Sequence, residues 1–152
     1  MDAIDKKILS LVQAKADLPL SEISRRVGIS KTPCWNRIRK LEETGIIENR
    51  VTILNRYNIG LPIVVFLFIS VSRHKSDWTK NFIRMINRFN EIIEVHRLTG
   101  SGSDYMLKIV ASSIEEYDQF QQNLIEEVDF TSMSSSVSLQ EMKHLYSLPL
   151  DK

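Results

Sequence analysis

Three shortages in the sequence exclude whole classes of protein. Its single cysteine, Cys34, rules out an intramolecular disulfide framework, which indicates a reducing compartment. The longest apolar run, Ile63–Ile69, falls well short of the roughly 18 residues that are needed to cross a bilayer. The first five residues do not resemble a signal peptide. We therefore expect a cytoplasmic protein with no membrane partner.

Motifs for catalysis and metal binding are also missing. The sequence contains no P-loop, no Gly-x-Ser-x-Gly elbow and no convincing pair of carboxylates. His74, His96 and His144 stand far apart, without the second cysteine or the close ligand spacing that a zinc site would need. We predict that the protein is not an enzyme, has no catalytic residues and holds no metal or cofactor.

The net charge of +1 hides an uneven distribution. Residues 1–60 carry 11 basic and 7 acidic side chains, whereas residues 61–152 carry 9 basic and 12 acidic ones. Six of the basic residues lie between Arg25 and Lys40, a stretch without any acid. Positive charge gathered in one half is typical of a DNA-binding head joined to a body that does not touch DNA, although a chance difference of this size would look the same.

Hydrophobic spacing predicts three helices in this basic half. A first amphipathic helix is expected at 3–16, and a second begins near Pro19 and ends at Gly28, where a left-handed backbone costs least. The third helix then runs to Thr44-Gly45, and 46–54 is expected to be an extended segment in the place of a small wing. Two short helices separated by a glycine turn have the form of a helix-turn-helix.

The third helix presents a buried stripe and an opposite basic face. Cys34, Ile38 and Leu41 recur at the spacing of one helical face, so the other side chains point outward. Outward residues near the N-terminus of such a helix contact base edges, while basic residues around them bind phosphates. The alternative is a solvated basic face with no partner. The candidates for base contacts are Lys31, Thr32, Trp35 and Asn36, and those for phosphate contacts are Arg25, Arg26, Arg39 and Lys40, with Arg37 on the flank.

Cys34 itself allows two interpretations. A thiol at a helix N-terminus can have a lowered pKa and act as a redox sensor. Its place on the apolar stripe of the third helix favours a small core residue instead.

The second half has the pattern of a small αβ-sandwich. After a linker at 55–62, strands and helices alternate in the order βαββαβ, which predicts an α+β fold with an antiparallel sheet and both helices on one face. We therefore divide the chain into a helix-turn-helix domain at 1–54, the linker, and a ferredoxin-like domain at 63–152. The strand at Ile63–Ile69 is apolar on both faces, so the second face is expected to pack against the sheet of another copy. A loop or the head could cover it instead.

Two motifs together resemble a known family. The segment VGISKTPCWNRIRKLEETGII, residues 27–47, is similar to the helix-turn-helix signature of the Lrp/AsnC, or leucine-responsive, regulators, most specifically in its Thr-Pro-Cys step. The segment TGSGSDY, residues 99–105, resembles the Gly-x-x-Asp-Tyr turn of that family's effector domain. The resemblance covers essentially the whole chain. Trp35 is bulkier than the residue usual there, and Ser101 and Ser103 also depart from the common pattern.

The resemblance implies a winged helix-turn-helix head and a body that dimerises through its sheets, with dimers assembling to tetramers or octamers. It also implies an amino-acid effector at the turn, with leucine, methionine and cysteine as first candidates. Glycines let a backbone approach a small zwitterion, and an aspartate can accept from its ammonium group. The alternative is that these residues only shape a tight turn. The effector-site candidates carried over by position are Gly100, Gly102, Asp104 and Tyr105.

We interpret the sequence as that of a nucleoid-associated, sequence-specific transcriptional regulator, which binds double-stranded DNA and responds to an amino acid through its assembly. An effector that bridges two dimers would change how many heads engage spaced half-sites at once. Two other interpretations stay open. One is an architectural DNA-binding protein without an effector, and the other is a metabolic protein whose body is a regulatory small-molecule domain.

Overall fold

The computed structural model describes residues 1–71, 76–100 and 102–150, in two compact units. The first unit, called the head here, comprises Met1–Ile53 together with Met142–Lys152, and the second, called the body, comprises Leu54–Glu141. Each unit has a hydrophobic core of its own. Two residues singled out from the sequence, His74 and Ser101, lie outside the described residues.

Three helices form the head, as the hydrophobic spacing predicted. Their apolar stripes meet in one core, in which Ile8 and Ile23 are almost completely buried. Burying a side chain of this size stabilises a fold by about 1.5–3 kcal/mol. Packing therefore holds these helices, which are too short to be stable alone. The helices are α1, Ala3–Ala14, α2, Leu20–Val27, and α3, Lys31–Glu43.

Local chemistry sets the ends of these helices. Asp2 and Asp5 form a capping box at the start of α1, where each carboxylate accepts a hydrogen bond from the other residue's backbone N–H, at 2.8 and 2.9 Å. Gly28 ends α2 with φ +83°, so the chain can turn directly into α3. After α3, residues 48–54 form neither helix nor strand, so the segment expected to be a wing has no strand of its own.

The end of the chain clusters with the head, whereas we had expected it to belong to the body. The side chain of Gln13 donates to the carbonyl oxygen of Leu148 and accepts from its backbone N–H, both at 3.0 Å. Leu150 packs against the head core. By packing, residues 142–152 therefore group with the head, whereas the sequence pattern assigns them to the body. The sequence did not indicate this, because an amide pair between residues 135 positions apart leaves no periodic pattern.

The body has the predicted βαββαβ order. Its four strands form one sheet in the order β2-β3-β1-β4, with every neighbouring pair antiparallel. The elements are β1, Ile63–Ser70, α4, Ser76–Ile86, β2, Ile92–Arg97, β3, Tyr105–Ala111, α5, Ile114–Glu127, and β4, Ser132–Val137.

The two faces of this sheet differ in their surroundings. On one face, Val65, Leu67 and Ile69 are fully buried in a core to which both α4 and α5 contribute. On the other, Phe66 and Phe68 are only half-buried. We call this second face the open face. Its two cross-strand rows, from β2 to β4, are Glu94, Lys108, Phe66, Ser136 and His96, Met106, Phe68, Ser134.

Candidate nucleic-acid interface and effector turn

The outer side of α3 carries the side chains that we predicted to face DNA. Cys34, Ile38 and Leu41 are buried, so the opposite side of the helix is turned to solvent. Trp35 is 47% exposed there, and the guanidinium of Arg39 lies 5.3 Å from the centroid of its ring. A large exposed aromatic beside a cation is a surface suited to a partner. The other exposed candidates on this helix are Lys31, Thr32, Asn36 and Lys40.

Arg25 and Arg26, on α2, share one carboxylate. Arg25 donates to both oxygens of Glu22, at 2.7 and 3.1 Å, and Arg26 donates through Nε to Glu22 Oε1 at 2.6 Å. These hydrogen bonds lower the pKa of Glu22 to about 2. The carboxylate is therefore charged throughout the physiological range, and it neutralises part of the positive surface expected to meet DNA.

Arg37 faces the start of α1 and not the outer side of α3. Its Nη1 donates to carboxylate oxygens of both Asp2 and Asp5, each at 2.7 Å. These hydrogen bonds raise the pKa of Arg37. The pKa of Asp2 is lowered by the capping hydrogen bond from the backbone N–H of Asp5 and by the hydrogen bond from Arg37. Arg37 thus joins α3 to the capping box of α1. Sequence reasoning placed Arg37 among the DNA contacts because helical spacing locates it on a flank but does not identify a partner 35 residues away.

An Arg37→Ala variant should therefore be less stable but should keep its phosphate contacts. We expect the midpoint of thermal unfolding to fall by about 2–4 °C at pH 7, since a partly exposed ion pair contributes modestly. The loss should begin to shrink as the pH falls below the ordinary Asp pKa of 3.8 and should vanish once the pH has passed through the lowered pKa of Asp2, because the hydrogen bonds of Asp2 favour the folded state only while its carboxyl is ionised. Circular dichroism melts across pH 3–7 would measure this. A reduced salt dependence of DNA binding would instead show that Arg37 contacts phosphate.

The structure brings together further basic side chains that sequence reasoning missed. A groove of about 430 Å³ on the head is lined by Lys6 and Lys7 of α1 and Arg26 of α2, with Ser10 beside them. The sequence signal is the adjacent pair Lys6-Lys7, which lies outside the acid-free stretch from Arg25 to Lys40. This groove extends the basic surface of the head from α2 to α1.

The turn before β3 is organised by Asp104. Its Oδ2 accepts a hydrogen bond from the backbone N–H of Val71 at 2.8 Å, and its own N–H donates to Ile69 at 2.8 Å. The hydroxyl of Ser70 donates to the carbonyl of Gly102 at 3.0 Å. Gly102 has φ +118°, a conformation that L side chains rarely adopt. Asp104 thus ties the turn to the end of β1, which gives it a structural role beside any contact with a ligand.

The other candidates at the turn differ in exposure. Gly100, with φ +123°, is exposed, and open space surrounds the position that a Cβ would occupy. Tyr105 is only 7% exposed, and its ring lies 4.9 Å from that of Phe82 in the body core. Sequence spacing alone could not distinguish a tyrosine facing the core from one facing a ligand, because the turn sets the direction of the strand that follows.

Cys34 is a core residue. Its side chain is fully buried in the head, and burial raises the pKa of its thiol, which disfavours the reactive thiolate. Of the two interpretations of this cysteine, the structure favours the packing role. Across residues 1–71, 76–100 and 102–150, no three His, Cys, Asp or Glu side chains are grouped so that they could hold a metal ion. Within the same ranges, no helix has the length and apolar character needed to cross a membrane.

Comparison with known families decides what these two units are. A model described as the Lrp/AsnC ligand-binding domain matches residues 64–148, and one described as a winged helix-turn-helix DNA-binding domain matches residues 1–48. This chain belongs to the Lrp/AsnC family. It is a DNA-binding transcriptional regulator whose body is an amino-acid-binding domain, as the sequence motifs indicated.

Individual members of the Lrp/AsnC family match almost the entire chain. The glutamate uptake regulatory protein of Zymomonas mobilis is 43% identical over 150 residues, which cover 99% of this chain and 91% of that protein. An AsnC family transcriptional regulator from Agrobacterium tumefaciens has a TM-score of 0.94 at 35% identity, covering 99% and 98% of the two chains. A transcriptional regulator from Neisseria meningitidis, solved as an L-Met complex, has a TM-score of 0.94 at 30% identity, covering 99% and 97%.

Proposed function

We propose that this Lrp/AsnC regulator binds specific DNA sites through the outer side of α3, and that an amino acid bound at the turn before β3 changes this binding. The observation that carries the proposal is the division of α3 into two sides. Its apolar stripe is buried, while Trp35 and Asn36 project to solvent beside basic residues. A helix of this kind, directly after a Gly turn, fits the major groove of DNA.

Two kinds of DNA contact are expected from the head. Asn36 can donate to and accept from adenine, and Trp35 can pack against a thymine methyl group, so these two residues would carry sequence preference. Lys40 and the arginines of α2 would bind phosphates, to which Lys6 and Lys7 add further positive charge. Such a regulator acts at the chromosome, so we place it at the nucleoid in the cytoplasm.

A direct test compares the protein's own upstream DNA with a shuffled sequence of equal length and composition. Fluorescence anisotropy should give at least a roughly thousandfold preference for the upstream fragment near physiological salt, as specific regulators show. Equal affinity for both fragments would favour a second candidate function, that of an architectural protein. The basic surface of the head supports it, because contacts to phosphates do not depend on the base sequence. Absence of binding even at low salt would exclude both functions.

The proposed effector site uses the geometry of the turn. Gly100 is exposed, so a small zwitterion could approach its backbone, and the carboxylate of Asp104 supplies a negative charge in the same turn. The L-Met complex of the Neisseria relative makes methionine the first amino acid to test, followed by leucine and cysteine. A thermal-shift screen of the twenty amino acids would identify the effector, because a ligand at 100 times its Kd stabilises the fold by about 2.7 kcal/mol. If none of them stabilises the protein, the effector proposal fails.

We also propose that the open face joins two copies of the body. Phe66 and Phe68, with Met106 next to them on β3, form an apolar centre. On one side of it lies the ion pair between Glu94 of β2 and Lys108 of β3, and on the other side lie the serines of β4. An apolar patch rimmed by polar groups is typical of a protein interface. Dimers formed in this way could then assemble to tetramers or octamers with the turns near their contacts.

A Phe68→Lys variant should therefore be monomeric at concentrations where the natural protein is a dimer. Burying a lysine without a partner at the centre of the interface should raise the dimer dissociation constant at least about 100-fold. Sedimentation equilibrium would measure the change. Ile83→Lys is the matched control, since Ile83 is a 50% exposed apolar residue on α4, away from the open face. If both variants dimerise like the natural protein, the interface lies elsewhere.

A further inference from the structure

The strongest unexplained arrangement on the head is the carboxylate that joins two predicted DNA-binding arginines. Glu22 lies at i−3 from Arg25 and i−4 from Arg26, so one turn of α2 brings all three side chains together. The side chain of Glu22 is 27% exposed, whereas those of Arg25 and Arg26 are 72% and 50% exposed. The acid therefore lies beneath the two guanidinium groups, which face solvent.

The geometry of this cluster resembles that of an arginine–phosphate contact. One carboxylate accepts two hydrogen bonds from Arg25 and one from Arg26, all between 2.6 and 3.1 Å. A phosphate group would use the same donors, since both anions accept bidentate bonds from guanidinium. The charge of the cluster is +1 in total, so a DNA phosphate meets half the positive charge that the two arginines alone would offer.

We propose that Glu22 stands in for a DNA phosphate on Arg25 and Arg26 in the free head and thereby restrains the sequence-independent affinity of the protein. This inference rests on the proposed DNA-binding function. Because Glu22 belongs to α2 and not to the base-contacting side of α3, it weakens phosphate contact on every sequence alike. The low pKa of Glu22 keeps this restraint in place at any pH at which the protein would work.

Removing the charge tests the proposal. We expect Glu22→Gln to bind random DNA about five- to tenfold more tightly at 100 mM salt, with a salt dependence steeper by the equivalent of about one phosphate contact. The affinity of the variant for operator DNA should rise by the same factor, since the base contacts are unchanged. In anisotropy titrations from 50 to 200 mM salt, the advantage of the variant should shrink by about threefold to fourfold.

Three matched variants separate this role from a general change in charge or stability. Glu48→Gln removes one negative charge from an exposed site on the same head, and it should gain much less. In an Arg25→Ala/Arg26→Ala background, Glu22→Gln should gain no more affinity for DNA than Glu48→Gln does, because the side chains through which Glu22 acts are missing. Glu22→Ala should repeat the effect of Glu22→Gln if the glutamine variant folds poorly in circular dichroism.

The outcomes distinguish this inference from the proposed function. If the natural protein binds DNA and Glu22→Gln binds random DNA no more tightly, or gains only as much as Glu48→Gln, the inference is overturned while the function stands. Weaker binding by Glu22→Gln would show that the acid positions the arginines for phosphate, which also overturns it. If the natural protein fails to bind any DNA at low salt, the function and the inference fall together.

Discussion

Replacing Trp35 and Asn36 together with alanine should weaken binding to the protein's own operator by about 100-fold or more and leave its affinity for random DNA nearly unchanged. A bidentate contact to a base contributes about 1–3 kcal/mol of discrimination, and the loss of the indole removes an apolar contact as well. Both side chains are exposed on α3, so their removal creates no cavity in the head. Anisotropy titrations on operator and shuffled fragments would measure the two affinities.

Lys40→Ala provides the comparison for that experiment. Lys40 lies on the same exposed side of α3 but can contact only phosphate in the proposed complex. Its removal should weaken the affinity for operator and random DNA by the same factor. The dependence of that affinity on salt should fall by about one phosphate contact. If the Trp35/Asn36 variant instead bound both DNA fragments more weakly by the same factor, α3 would contact only the DNA backbone and would not recognise the base sequence.

Asp104→Asn should abolish the response to the effector while leaving the fold intact. The asparagine oxygen can still accept the hydrogen bond from the N–H of Val71, so the turn stays tied to β1. The negative charge opposite the ammonium group of an amino acid is lost, which should weaken effector binding by about 10- to 100-fold because hydrogen bonds to charged groups contribute about 1.5–3 kcal/mol. Isothermal titration calorimetry with the amino acid found in the thermal-shift screen would measure the change.

Asp104→Ala separates the structural role from the binding role. It leaves the half-buried N–H of Val71 without its acceptor, so it should also lower the free energy of unfolding, by about 1–3 kcal/mol. The asparagine variant should show no comparable loss. Unchanged effector affinity in Asp104→Asn would mean that Asp104 only shapes the turn, and the effector would then have to bind elsewhere.

The fold could be predicted from the sequence because its elements are strongly patterned. The stripe of Cys34, Ile38 and Leu41, the glycine at the end of α2 and the doubly apolar β1 each follow from local spacing, and the structure confirms all three. The two family motifs, one in each half, then predict that the head and the body together form the architecture of this family. The ends of these elements shifted by a few residues, because end positions depend on capping contacts, and the segment expected to be a wing forms no strand.

The contacts that could not be predicted from the sequence join residues that lie far apart in the chain. Arg37, predicted from helical spacing as a flanking DNA contact, donates hydrogen bonds to two aspartates that lie more than 30 residues away in the chain. The final segment looked like part of the body, yet its amide pair lies on Gln13. Periodicity reports which side of an element is apolar, but it carries no information about which polar groups meet across a folded chain.

Coupling between the amino acid and DNA binding can be measured by sedimentation of the protein with labelled operator DNA, with and without the identified amino acid. We expect the amino acid to change both the size of the protein–DNA complex and the operator affinity, and we expect Asp104→Asn to show neither change. Reciprocity requires that DNA shift the affinity for the amino acid by the same factor. If an amino acid binds the body but alters neither the assembly nor the operator affinity, then the body does not regulate DNA binding through that ligand.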